Sequence, residues 1–128
     1  MTEHWLARSA EVECCDLLTT GRRTGQPHRI EIWFGVVDDT MYLISGNAEG
    51  ADWFRNLQAE PRVTVELDGA THAGVARVVT DRAERAQVGD VMGAKYVWRG
   101  DPSIGLTYEA WCYEVPAVAI EFGGHDRR

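Results

Sequence analysis

Residues 27 to 37 constrain this chain more than any other stretch. His28, Ile30, Ile32, Phe34 and Val36 alternate with Arg29, Glu31, Trp33, Gly35 and Val37. A period of two sends successive side chains to opposite faces, so the run reads as a strand with one face in a core. Asp38-Asp39 supplies turn residues and 41 to 45 returns as a second strand, which makes 27 to 45 a hairpin. Further strands are expected at 14 to 20, at 62 to 67, at 70 to 79 beyond the Asp68-Gly69 turn, and at 116 to 122, about six in all.

Two helices interrupt the strands. Asp52 is placed to cap one in which Trp53, Phe54 and Leu57 share a side, and Pro61 bounds it. Asp81 and Glu84 form a capping-box pattern for another, expected to reach about Trp98. There Val88, Val91, Met92, Lys95 and Tyr96 recur at helical spacing, against the low helix propensity of Gly89 and Gly93. Residues 99 to 112 follow neither period. Strand pairs joined by tight turns do not fit a doubly wound parallel sheet, in which strands and helices alternate. The expectation is a mainly β, α+β architecture: one antiparallel barrel with two or three flanking helices. With 128 residues and 45% hydrophobic content the chain can close one core, so residues 1 to 128 are read as a single domain.

Charge narrows the function. A net charge of −7 argues against a surface that gathers nucleic acid by counterion release. No apolar run is long enough to span a membrane, and Glu3, Arg8 and Glu11 stand where a secretory signal needs apolar residues, so the cytoplasm is expected. Cys14, Cys15 and Cys112 lack metal-ligand spacing and read as reduced, packed thiols; adjacent Cys14 and Cys15 point to opposite faces of a strand. Cys14 and Cys112 fall in strand-like apolar contexts that raise a thiol pKa. The four histidines form no zinc pattern, and no serine or cysteine sits in a nucleophile elbow.

Against that acidic background, residues 19 to 29 hold Arg22, Arg23 and Arg29 and no acid. Guanidinium groups pair bidentately with phosphate or carboxylate, and Gly21 and Gly25 let backbone amides turn inward as further donors. The alternative is a solvated hairpin loop. The pattern is neither a P-loop nor a dinucleotide fingerprint. The second candidate is the polar loop from Ser45 through Asn47 to Asp52, which enters a helix N-terminus. Trp53 and Asn56 share a face of that helix, so an indole can flank a ring while the amide bonds a carbonyl; the alternative is a core tryptophan and an asparagine that ties a loop.

Together, Leu18-Thr19-Thr20-Gly21-Arg22-Arg23-Thr24-Gly25-Gln26-Pro27, Trp33-Phe34, and 52 to 65 with its Trp53-Phe54-Arg55-Asn56-Leu57 and Pro61 resemble the deazaflavin-dependent nitroreductase family, within the pyridoxamine-phosphate-oxidase-like split barrels. The similarity spans 16 to about 80. It implies a six-stranded split β-barrel and a reduced deazaflavin, coenzyme F420, that hands a hydride to a planar electron-poor acceptor such as a quinone or nitroaromatic. Arg22 and Arg23 would then hold the phosphate and acidic tail, with Gln26, His28 and Arg29 nearby. Ser45, Asn47, Trp53 and Asn56 would line the ring. Gln58 departs from the lysine common in the family, and the loop from Gly46 to Asp52 is shorter, which leaves FMN as the alternative cofactor and a non-enzymatic ligand-binding protein as the third reading.

Tyr96, Trp98, Tyr108 and Trp111 supply aromatic surface for a flat acceptor or cover the barrel end, and Tyr96 is the candidate proton donor. Trp33, on the face alternate to Ile30 and Ile32, suggests a homodimer contact.

Overall fold

A computed structural model describes residues 5–46 and 50–123. The chain runs α1 (Trp5–Arg8), β1 (Cys14–Thr20), β2 (Pro27–Trp33), β3 (Gly35–Val37), β4 (Thr40–Ile44), α2 (Asp52–Ala59), β5 (Arg62–Leu67), β6 (Ala70–Val78), α3 (Arg82–Lys95), a 3-10 turn (Pro102–Ile104), α4 (Tyr108–Tyr113) and β7 (Ala117–Glu121). The strands form one antiparallel sheet in the order β2-β1-β5-β6-β7-β4-β3. Its two edges, β2 and β3, are consecutive in the chain and separated by Phe34 alone. The sheet therefore curls until its edges meet through the chain itself, which is the split-barrel form.

The continuous strand expected over 27 to 37 is thus two strands, and the sheet has seven rather than six. At Phe34 the backbone leaves one edge for the other and cannot use a ladder partner, yet a buried amide must be paired. Its N–H donates to the Tyr96 hydroxyl at 3.0 Å, and its carbonyl accepts from Lys95 Nζ at 2.9 Å. The C-terminal end of α3 closes the seam.

The barrel interior holds one core, including Leu17, Phe34, Met41, Leu43, Val65, Val118 and Ile120, with Trp53, Phe54 and Leu57 of α2 plugging it. Each fully buried aliphatic side chain contributes on the order of 1.5–3 kcal/mol. A second core lies between the outer face of β4 and β7 (Tyr42, Ile44, Ala117, Ala119) and α3 and α4 (Val88, Met92, Trp111, Cys112). Strands β4 and β7 are covered on both faces, which is why their sequences do not alternate. The β5–β6 turn has positive φ at Asp68 (53°) and Gly69 (82°), the geometry a two-residue hairpin demands.

The helices bring corrections. Asp52 is not the cap of α2: the N-cap is Ala51, without a side-chain bond, and Asp52 instead reaches Arg22 at 3.2 Å. Asp81 does cap α3, accepting from the Glu84 amide at 2.8 Å. The Glu84 carboxylate, however, is taken by Arg77 and by the Tyr42 hydroxyl rather than returning to the cap. Helix α3 stops at Lys95, short of Trp98. Its glycines admit α4: a Cβ on Gly89 would stand 2.5 Å from the Cys112 carbonyl oxygen, and one on Gly93 would stand 2.9 Å from the Tyr108 hydroxyl. Arg85 donates to the carbonyls of Trp111, Cys112 and Val115, fixing the end of α4.

Cys14 and Cys15 face opposite ways, Cys15 buried and Cys14 partly so, but Cys112 lies on α4 rather than on a strand. Burial raises all three thiols, Cys15 to about 12. Among the described residues no helix is long and apolar enough to cross a membrane.

Candidate functional site

The basic loop, residues 21–26, joins β1 to β2. Gly25 has φ +76°, its amide donates to the Gly21 carbonyl at 2.8 Å, and the Gly21 amide donates to the Gln26 carbonyl at 2.8 Å. These amides are consumed by the turn, so the two glycines do not supply the extra donors expected of them. What faces a shallow cavity of about 200 Å³ is chiefly side chains: Arg22, Arg23 and His28 from this hairpin, Asp52 and Asn56 from α2.

Asn56, 2% exposed, organises this cavity. Its Oδ1 accepts from Arg22 Nη1 at 2.8 Å and from the Arg22 amide at 3.2 Å, while Nδ2 donates to Thr19 Oγ1 at 3.1 Å. Arg22 is thereby held with one face of its guanidinium committed. Arg23 is exposed and has no side-chain hydrogen bond or ion pair among the described residues. His28 Nδ1 is buried without a hydrogen-bond partner among the described residues.

The remaining candidates separate from this cluster. Arg29 points to the outer face of the sheet, where Asp16 (2.6 Å) and Glu66 (2.7 and 3.1 Å) engage it. The Gln26 side chain is exposed. Trp53 packs in the barrel core, edge-on to Phe54 at 6.0 Å, and does not line the arginine cavity. Ser45 is buried at the end of β4, its amide donating to the Pro116 carbonyl at 2.9 Å. Asn47 lies outside the described residues.

At the other end of the 45–51 loop stands an aromatic cluster. Trp33 stacks on Tyr96 with centroids 4.3 Å apart and the planes 2° from parallel; Trp98 and Trp111 meet Trp33 edge-on at 6.3 and 5.9 Å. Trp33 is therefore covered from within, and its face is not the free dimer contact the alternation suggested. A cavity of about 330 Å³ runs between Trp33, Trp111, Ile32, Ile44 and Met92, with Cys14 and Glu31 on its wall. The Trp98 indole Nε1 is buried and unpaired among the described residues. A Cβ on Gly46 would lie 3.6 Å from the Trp111 ring, so Gly46 abuts this cluster.

The Tyr96 hydroxyl, besides accepting from Phe34, donates to the Glu13 carbonyl at 2.6 Å, and burial pushes its pKa up to about 12. A proton-donor role would require it to release that carbonyl. Helix α4, which places Trp111, and the stack on Trp33 carried no periodic signal in the sequence; the Thr107 cap, accepting from the Ala110 amide at 3.0 Å, was its one local mark.

The fold is a curled antiparallel split barrel with one cavity lined by arginines and another lined by tryptophans. The chain matches the F420H(2)-dependent quinone reductase family over residues 7–101 and belongs to that family. It is an F420-dependent reductase, and reduced coenzyme F420 is its cofactor. Among solved structures it is similar to a conserved hypothetical protein from Mycobacterium tuberculosis (20% identity, 98% of this chain and 82% of that one, TM-score 0.73). An F420-H2 dependent reductase shares 16% identity over 86% of this chain and 95% of that one, with TM-score 0.66. The heme storage protein HutZ from Vibrio cholerae shares 16% identity over 96% and 92%, also with TM-score 0.66. At these identities the likeness speaks for the fold.

The residues fit the cofactor. Two guanidinium groups and the orphan His28 nitrogen make a donor set for a phosphate oxygen, and the Ser45–Gly46 end of the loop lies beside flat aromatic surface.

Proposed function

We propose that this protein reduces a planar, electron-poor acceptor, a quinone or a nitroaromatic, and that the acceptor enters the cavity between Trp33 and Trp111. When bound, the deazaflavin supplies the hydride. The chain's own part is placement. Arg22, Arg23 and His28 hold the phosphate end. Asn56 and Asp52 fix Arg22 in the orientation that does so. Ser45, at the end of β4, borders the ring. Trp33 and Trp111, whose planes are nearly perpendicular, wall the acceptor on two sides and exclude water. Tyr96 acts as a positioning residue that holds Trp33 in place rather than as the proton source.

One observation carries this reading: the arginine-lined cavity includes His28, whose buried Nδ1 has no partner among the described residues, and the aromatic cluster around Trp111 includes Trp98, whose buried Nε1 likewise has none. Unpaired buried polar atoms are rare, and a bound ligand group is one way of satisfying them. Three free thiols support a cytoplasmic setting. A homodimer belongs to the same reading; light scattering at micromolar concentration tests it.

The deciding assay mixes protein with reduced F420, or with FMN and a reductant, and follows reoxidation by menadione and by a nitroaromatic. Turnover only with FMN would remove the cofactor, and none with either would favour a ligand-storage role on the same barrel.

A further inference from the structure

We propose that the cavity beside Trp33 selects its acceptor by charge, with Glu31 as the selecting residue: neutral and cationic planar acceptors enter, and sulfonated or carboxylated ones are turned away. The inference rests on the reading that this cavity takes the acceptor. It goes further by naming the class of acceptor and the side chain that defines it.

The cavity wall is apolar apart from Cys14 and Glu31. Glu31 is exposed and has no hydrogen-bond or ion-pair partner among the described residues. The nearby cations are committed elsewhere. Arg29, two positions along β2, is held by Asp16 and Glu66 on the outer face. Lys95 lies on the other flank of Trp33, bonded to the Phe34 carbonyl and 3.7 Å above the Phe34 ring. Directly across the ladder from Glu31 stands another carboxylate, Asp16.

The flank of Trp33 that carries Lys95 is itself acidic. A neighbouring cavity of about 290 Å³ is lined by Glu11 and Glu13 against that one lysine. An uncompensated charge beside a low-dielectric, indole-walled crevice acts on an entering ion more strongly than the same charge in water. Beside Glu31 the Cys14 thiol is raised, by burial most, then by Glu31 and Glu13, with Lys95 partly offsetting them. The site therefore has opposite poles, arginines where the anionic cofactor end binds and a free carboxylate where the acceptor enters.

The test compares menadione with a naphthoquinone sulfonate in the wild type and in Glu31→Gln, reading two quantities. The first is quenching of tryptophan fluorescence by each quinone in cofactor-free protein, since Trp33 and Trp111 line the cavity. The second is kcat/KM with reduced F420. Dividing the sulfonate value by the menadione value within each protein, then comparing proteins, cancels the difference in reduction potential between the quinones. The expected result is that Glu31→Gln raises this ratio about tenfold in both readouts, equivalent to about 1.4 kcal/mol. Added salt should raise the wild-type ratio and leave that of Glu31→Gln nearly flat. A ratio unmoved by either the substitution or salt would overturn charge selection while leaving the reductase reading intact. Turnover of neither quinone, with no quenching, would remove the acceptor cavity and the selection together.

Discussion

Arg22 and Asn56, 34 residues apart in the chain, meet at 2.8 Å, and the same Asn56 amide reaches Thr19 at 3.1 Å from its other end. One buried side chain thus ties β1, the basic hairpin loop and α2 into a single unit. The arginine that would grip an anion is braced from behind before any ligand arrives. Pre-organisation of this kind reduces the entropy lost on binding.

Replacing Asn56 with Ala should therefore act twice. It leaves Arg22 donors and Thr19 without their buried partner, at a cost of about 1–3 kcal/mol in stability. Urea unfolding should show a lowered midpoint, and isothermal titration with F420 a weakened affinity. A stability equal to that of the wild type would mean that water replaces the amide at no cost.

Arg22→Ala and Arg23→Ala should each weaken cofactor binding by about 1.5–3 kcal/mol, the range for a hydrogen bond to a charged group. They should differ in stability. Arg22 has internal partners in Asn56 and Asp52, whereas Arg23 is exposed and uncommitted, so only the first substitution should shift the melting temperature. An unchanged affinity in the double variant would show the loop to be merely solvated.

Tyr96→Phe removes a hydroxyl that serves both the Phe34 amide and the Glu13 carbonyl. Stability should fall by about 1–3 kcal/mol, while turnover of menadione falls less than tenfold because the ring still stacks on Trp33. A loss of 10²–10⁴ in turnover, the range for an absent general acid, with stability intact would instead make Tyr96 the proton donor.

The acid limb of stability should depend on Glu84. Hydrogen bonds from Arg77 hold this partly buried carboxyl below its ordinary 4.5, with Tyr42 as a further donor. A depressed folded-state pKa stabilises the fold above the unfolded value, and that contribution disappears as the pH falls through the folded one. Unfolding midpoints should thus drop below about pH 4.5, and Glu84→Gln should flatten that drop. At the alkaline end, Tyr42 and Tyr96, both raised to about 12, favour the fold while neutral. Stability should fall as pH rises from about 10 toward 12, and a flat profile there would contradict their burial.

Gly89→Ala should push α4 away from α3, since the added Cβ would meet the Cys112 carbonyl oxygen at 2.5 Å. A cost of about 1–3 kcal/mol is typical of such overpacking. Because α4 carries Trp111, quinone quenching of tryptophan fluorescence should weaken in parallel. Loss of stability with quenching unaltered would separate α4 from the acceptor cavity.

By itself the sequence determined the elements whose signals are local. The alternation of Ile30 and Ile32 with Arg29 and Glu31, the Asp68-Gly69 turn, the Asp81 cap and the arginine-rich hairpin each depend on neighbours a few positions away, and each stands where the sequence placed it. Only the tertiary structure decided the rest. The break at Phe34 follows from closing a curled sheet, and it is stabilised by Tyr96 and Lys95, more than sixty positions downstream. Gly89 and Gly93 read as weaknesses in a helix because propensity sees backbone entropy and not the second helix that needs their missing side chains. Trp33 read as an outward face because period two distinguishes two sides of a strand but not what covers either one. Asp52 looked like a cap until Arg22, thirty residues earlier, took its carboxylate. Contacts between residues distant in the chain depend on how the sheet bends, and no local pattern of side chains encodes that bend.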